Sequence, residues 1–162
     1  MEMMVELRER TETHVRINYE KMRDPEIKSM IPMTEKTLEQ AILDYKKTQL
    51  PGASSFGKTI YVNGEYMGDI WCYCMDLEEE PNAMLGYCLF EKSLWGKGIA
   101  TEAVKLFLEE VSVRFRLKTM GGIVFCSNAA SMRVLEKSNF EKKEEFEEDG
   151  ILSAYYQREL VL

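Results

Sequence analysis

Apolar positions along the chain switch between alternate and helical spacing, and the changeovers mark out the elements. Val5 and Leu7 alternate with charged residues, which predicts a first strand over Met4 to Arg10. Thr11 or Thr13 is placed to cap a helix running to about Arg23, and Pro25 and Pro32 bracket a break. Thr34 or Thr37 opens a second helix that ends near Thr48, and Thr37 with Gln40 has the spacing of a capping box. After the loop Leu50 to Ser55, the runs Phe56 to Val62 and Tyr66 to Met75 flank Asn63-Gly64, a pair suited to a tight hairpin. A strand over Ala83 to Phe90 precedes a helix over Ala100 to Arg114, with Ala103, Leu106, Phe107 and Val111 on one face. A strand over Thr119 to Cys126 and a short helix over Ala129 to Ser138 follow. A terminal hairpin, Phe140 to Phe146 and Ile151 to Leu160 around Asp149-Gly150, closes the order β-α-α-β-β-β-α-β-α-β-β. With no internal repeat, low-complexity tract or linker in 162 residues, one domain over 1–162 is expected.

Between the strand Ala83 to Phe90 and the helix that follows stands Trp95-Gly96-Lys97-Gly98-Ile99-Ala100-Thr101-Glu102-Ala103. A strand, a glycine turn and a helix start in that order can make an anion site. The first amides of a helix have no intrahelical acceptor, and the helix dipole adds partial positive charge there. Gly96 and Gly98 allow close backbone approach, so a pyrophosphate is a natural occupant; an ordinary strand-to-helix turn is the plainer reading. A dinucleotide fingerprint wants a third glycine where Thr101 stands, and the chain has no Gly-Lys-Ser/Thr phosphate loop.

The segment resembles the acetyl-CoA loop of the Gcn5-related N-acetyltransferases, the GNAT family, whose pattern is Gln/Arg-x-x-Gly-x-Gly/Ala. Trp95 stands where Gln or Arg is usual, Gly98 is the middle glycine, and Ala100 closes the motif. The form looks like the branch containing the ribosomal-protein N-terminal acetyltransferases. Asn128-Ala129-Ala130-Ser131-Met132-Arg133-Val134-Leu135-Glu136-Lys137-Ser138-Asn139-Phe140 resembles a second family segment, with Asn139 in place of the usual glycine. Asn tolerates a left-handed backbone next best, so the turn can survive. The resemblance covers roughly Ala83 to Phe140.

It implies an α/β (α+β) fold: a mixed, mostly antiparallel sheet whose central parallel strands, the fourth and fifth, splay apart, with helices on both faces. It implies acetyl-CoA as cosubstrate. The pyrophosphate would rest on Trp95, Gly96, Lys97, Gly98, Ile99, Ala100 and Thr101, and the pantetheine arm on main chain near Cys88, Leu89 and Phe90, with Asn128 and Ser131 beside it. Asn128 is equally a helix cap.

Acetyl transfer to an amine needs a proton removed from nitrogen, donors for the oxyanion and a proton for the departing thiolate. Many relatives carry a Tyr acid where this chain has Leu135, and a Glu base where it has Met84. Ser131 matches a serine proposed as the acid in the ribosomal-protein branch; a helix-start hydroxyl is the alternative. Tyr155 and Tyr156 are further candidates, or core aromatics. Asp69, flanked by Ile70, Trp71 and Cys72, is the substitute base if it is buried; it can also face solvent, with water taking the proton.

Composition changes this picture little: 45% hydrophobic and 30% charged residues suit a globular protein. The net charge of −7 argues against a nucleic-acid partner. It can steer a cationic amine, or simply reflect the acidity common in cytosolic proteins. No apolar run approaches the ~20 residues of a membrane span, and Met1 to Glu6 does not resemble a secretory signal. Cys72, Cys74, Cys88 and Cys126 each fall in a strand-like apolar run without ligand spacing, which predicts buried free thiols, with no metal or disulfide, in a reducing cytoplasm. Two function classes follow. One is an acetyl-CoA-dependent N-acetyltransferase acting on a small-molecule amine or a protein N-terminus, with a homodimer open. The other is a non-catalytic acyl-CoA-binding or interaction domain.

Overall fold

The computed structural model describes residues 3–30 and 36–160; Pro32 and the alternative cap Thr34 lie outside them. Seven strands form one sheet in the order β1-β2-β3-β4-β5-β7-β6. They are β1 (Val5–Glu9), β2 (Phe56–Val62), β3 (Glu65–Asp76), β4 (Asn82–Leu89), β5 (Thr119–Phe125), β6 (Glu141–Glu148) and β7 (Ile151–Glu159). All neighbours run antiparallel except β4 and β5. Both hairpin turns carry two consecutive positive φ angles, at Asn63-Gly64 and Asp149-Gly150, the geometry that such pairs favour.

The helices are α1 (Glu12–Lys21), α2 (Pro25–Ser29), α3 (Leu38–Thr48), α4 (Ile99–Phe115) and α5 (Ala129–Lys137). Thr11, not Thr13, caps α1: its hydroxyl accepts from His14 N–H, while Thr11 N–H donates to His14 Nδ1 at 3.0 Å. Thr37 and Gln40 form the expected capping box on α3. The predicted break after Arg23 contains α2, which Asp24 caps and Pro25 opens.

α4 packs on one sheet face through Ile99, Ala103, Val104, Phe107, Leu108 and Val111, all buried. Leu106 lies off this stripe and is only part-buried, because 3.6-residue spacing centres the face on Val104 and Leu108 instead. Phe107 is fully buried and stacks on Phe56 with ring centroids 6.0 Å apart; truncating such a side chain to Ala costs about 3–5 kcal/mol. α1 covers the opposite face, where Asn18 reaches Asp69 and His14 reaches Tyr61. Asn139 holds φ +67, so the left-handed turn survives without glycine and lets Phe140 N–H bond Leu135 O.

Candidate active site

β4 and β5 pair only from Asn82↔Thr119 to Leu85↔Gly122. Beyond that both strands continue and part, so the far half of β4 has a neighbour only in β3. Phe90 N–H bonds Met67 O at 2.9 Å on the β3 side. The two-residue strand period therefore turns the Cys88 backbone toward β3 as well, and the Tyr87 and Leu89 backbones toward the gap. Of the expected main-chain positions, only Leu89 faces the gap; Cys88 and Phe90 do not, and Tyr87 does. Trp95 Nε1 donates to Leu89 O at 3.2 Å, tying the turn to the end of β4.

The gap opens into a cleft of ≈ 1060 Å³ running from α3 and the loop Leu50–Ser55 to α4 and α5. Trp95, Gly96, Gly98, Ala100 and Thr101 line it, whereas Ile99 is buried in the core and Lys97 is exposed outside the lining. Gly96 (φ +74) and Gly98 (φ +82) both hold left-handed angles. Gly98 is the N-cap of α4, and no side chain caps it. The first amides of a 17-residue helix thus open on the cleft without an internal acceptor.

Asn128 and Ser131 also line the cleft. Asn128 Oδ1 accepts from Ser131 N–H at 3.1 Å, and Asn128 Nδ2 donates to Met30 O at 3.3 Å. Its amide is therefore a helix cap and a tie to the end of α2. The Ser131 hydroxyl lies 2.8 Å from the Tyr87 hydroxyl. Burial pushes the Tyr87 phenol up to about 12, against the opposing effect of its Ser131 hydrogen bond. Sequence reasoning missed this pair; the available signal was Tyr87's alternation to the same sheet face as the α4 and α5 contacts.

Asp69 is 1% exposed and so does not face solvent. Its Oδ2 accepts from Tyr66 at 2.7 Å and from Asn18, while Oδ1 has no hydrogen-bond partner among the described residues. Burial raises its pKa; Arg10, whose Nε lies 3.9 Å away, is the largest opposing influence. Arg10 and Asn18 line the cleft and Asp69 does not, so Asp69 stands behind that wall.

The two remaining tyrosines lie apart from the cleft. Tyr156 is fully buried and donates to Glu136 Oε2 at 3.1 Å. Tyr155 points to the opposite face, against Gly121 and Met84: a Cβ added to Gly121 would lie 2.9 Å from the Tyr155 ring and 2.8 Å from the Met84 sulfur. Leu135 is buried against Gly122. Cys72 and Cys88 are buried, and burial pushes the Cys72 thiol up to about 12. Cys74 is exposed and Cys126 part-buried, contrary to the expectation. Cys74 holds φ +51 where the β3–β4 register slips, and Cys126 lies just past β5. Among the described residues no group of three or more His, Cys, Asp or Glu is arranged to hold a metal ion, and no helix is long and apolar enough to cross a membrane.

The parted strands and the open helix start define an acetyltransferase fold. The family model for the GNAT acetyltransferase domain matches residues 5–141, and the chain belongs to that family. A 61-residue stretch is 43% identical to the probable N-acetyltransferase YjcK of Bacillus subtilis (strain 168), covering 38% of this chain and 33% of that protein. The match thus spans about a third of the curated relative's length. Spermidine N-acetyltransferase from Vibrio cholerae, in complex with CoA and spermine, superposes with TM-score 0.82 at 13% identity over 96% of this chain and 95% of that one. An acetyl transferase from Salmonella typhimurium that modifies the N-terminal serine of a 50S ribosomal subunit protein gives 0.81 at 17% identity over 99% and 100%. Aminoglycoside acetyltransferase AAC(6')-Ib, with coenzyme A and kanamycin, gives 0.78 at 23% identity over 96% and 95%. At these identities the likeness establishes the fold.

Proposed function

We propose that this chain is an acetyl-CoA-dependent N-acetyltransferase that moves an acetyl group directly to a primary amine, within one domain and in the cytoplasm. The observation that carries the reading is the parting of β4 from β5 after Leu85↔Gly122, which leaves a strand edge on a cleft ending at the open start of α4. The ligands named with the superposed structures, coenzyme A and amines, support it.

In this reading the α4 amides and the turn Gly96–Thr101 hold the pyrophosphate, and the exposed Lys97 adds positive charge near it. The Tyr87 and Leu89 main chain takes the pantetheine arm as an added strand. The Leu89 carbonyl is already held by Trp95, so its amide is the free group, placed to donate to the thioester oxygen. Bound acetyl-CoA supplies an activated acetyl carbon and a thiolate leaving group. The acceptor nitrogen forms the new C–N bond as the C–S bond breaks; the nitrogen gives up one proton and the sulfur takes one.

Ser131 is the proposed donor to sulfur, with Tyr87 replenishing its proton across their 2.8 Å contact. Leu135 has no titratable group, and Tyr155 and Tyr156 sit off the cleft lining. Asp69, enclosed behind Arg10 and Asn18, is assigned to positioning Asn18 and Tyr66, and the amine proton passes to water in the open cleft. The test is thiol release from acetyl-CoA across a panel of small amines and peptides, beside calorimetric titration with CoA. Amine-dependent thiol release supports transfer. CoA binding with no thiol release for any amine overturns it in favour of an acyl-CoA-binding domain.

A further inference from the structure

The whole chain is acidic at −7, yet its cleft is not. Among the described lining residues there are five cationic side chains, Arg10, Lys36, Lys47, Arg133 and Lys137, and one carboxylate, Asp44. That carboxylate is already held by Lys36 at 2.5 Å. A polyamine or aminoglycoside, with several positive charges to satisfy, finds no free carboxylate among the described residues of these walls.

Arg10 differs from the other four cations in being part-buried where they are exposed. Its carbonyl accepts from the Tyr45 hydroxyl at 3.1 Å, which pins the chain just after β1 to α3. Its side chain is 25% exposed and crosses the sheet over Gly57, where an added Cβ would lie 3.9 Å from Arg10 Cδ. Its Nε is buried with no hydrogen-bond partner, and the 3.9 Å to Asp69 is too long for one. Asp69 spends its other oxygen on Tyr66 and Asn18. Among the described residues the guanidinium makes no hydrogen bond, although its planar fork is built for two parallel ones to a carboxylate. Its charge is balanced by Asp69 at 3.9 Å, and the quarter of the side chain that stays exposed lies on the cleft wall, where a ligand carboxylate can take the hydrogen bonds that Asp69 does not.

The register fixes where such a ligand would extend. Gly57 pairs with Trp71, and Trp71 pairs with Gly86, beside the gap. The Trp71 indole lies over Gly86, so close that an added Cβ there would meet the ring at 2.5 Å. The guanidinium stands beside Asp69 on β3, one strand spacing from β4 and about two, roughly 10 Å, from the gap beyond it, across an aromatic floor.

Resting on the acetyl-transfer reading above, we propose that the acceptor of this chain is a primary amine bearing a carboxylate, which Arg10 binds while the amine reaches the gap over Trp71. The test compares acceptors of one length that differ only at the far end: aminohexanoate, hexylamine and diaminohexane. Wild-type kcat/KM is expected to be at least tenfold higher for aminohexanoate than for either of the others. Arg10→Gln is expected to lower the aminohexanoate value at least tenfold more than the hexylamine value, and Arg10→Lys to keep part of the preference. Equal use of the three, preference for the diamine, or a ratio unmoved in Arg10→Gln overturns the proposal. Should Arg10→Gln not fold, the wild-type ratio and calorimetric binding of hexanoate against hexylammonium, with CoA present, decide it. Hexanoate binding without any acetyl transfer would uphold the carboxylate site and sink the transfer reading; transfer without carboxylate preference would do the reverse.

Discussion

Replacing Gly98 by Val sets two demands on one turn against each other. Gly98 holds φ +82 and ψ 1 as the N-cap of α4, and a Cβ built there would meet nothing within 4 Å. No packing clash is therefore introduced, and the cost is backbone strain, about 1–3 kcal/mol for a side chain held in the left-handed region. If the turn relaxes, the amides that follow rotate away from the pyrophosphate, and each charge-assisted hydrogen bond lost is worth about 1.5–3 kcal/mol. If it holds, the new isopropyl group stands in the open space a phosphate must enter. Either way CoA affinity is expected to fall more than tenfold, since ~1.4 kcal/mol is a factor of ten. Gly150→Val is the control. It carries the same kind of strain (φ +79, nothing within 4 Å) in the β6–β7 turn, so it should lower stability without touching CoA binding. Calorimetry with CoA and thermal melts on both variants provide the assay. A folded Gly98→Val protein with wild-type CoA affinity would refute the anion-site reasoning.

Asn128→Ala removes the α5 cap and the tie to Met30, so a stability loss of about 1–2 kcal/mol in urea titration is expected, with any loss of CoA affinity on the order of one hydrogen bond. Ser131→Ala and Tyr87→Phe should each lower turnover by roughly 10² or more while leaving the KM for acetyl-CoA within a few-fold; near-normal turnover in both would remove the pair from the mechanism. The native state holds the Tyr87 proton up to about 12, above the ordinary 10.0, so folding is penalised as pH rises through that window. Tyr87→Phe should therefore flatten the alkaline loss of stability by on the order of 2–3 kcal/mol, and an unchanged alkaline limb would count against that burial. In native protein a thiol reagent should modify Cys74 first and leave Cys72 and Cys88 unreacted until denaturant is added; early reaction at Cys88 would contradict its burial.

Much of the fold was legible because the signals are local. Asn63-Gly64, Asp149-Gly150, Thr37 with Gln40 and the Gly96–Gly98 turn each state their geometry within a few residues, and the structure has all four. α2 was missed because five residues opening on Pro25 carry no periodic stripe. The site was less legible, since its chemistry depends on which face a strand residue takes and on contacts between distant segments. Tyr87 and Ser131 are 44 residues apart, and Asn128 and Met30 are 98. Asp69's alternation allowed either solvent or interior, and only α1 lying over that face decides for the interior. Cys74 shows the opposite failure: an apolar run predicts burial, but a register slip turns the residue out.

The four-pair contact between β4 and β5 also has a kinetic meaning. It is the narrowest junction in the sheet: β1 to β4 form one antiparallel block and β5, β7 and β6 another, with five to seven pairs at every other junction. Central strands are ordinarily the last to release their amide protons. Here the Leu89 amide, in the middle of a seven-stranded sheet, is expected to exchange as an edge amide does, while its neighbour Cys88, turned toward β3, is expected to exchange slowly. A ligand that takes up the free edge would invert that order, slowing Leu89 and leaving Cys88 as it was, so hydrogen exchange at two adjacent residues reports on whether the two blocks have been bridged.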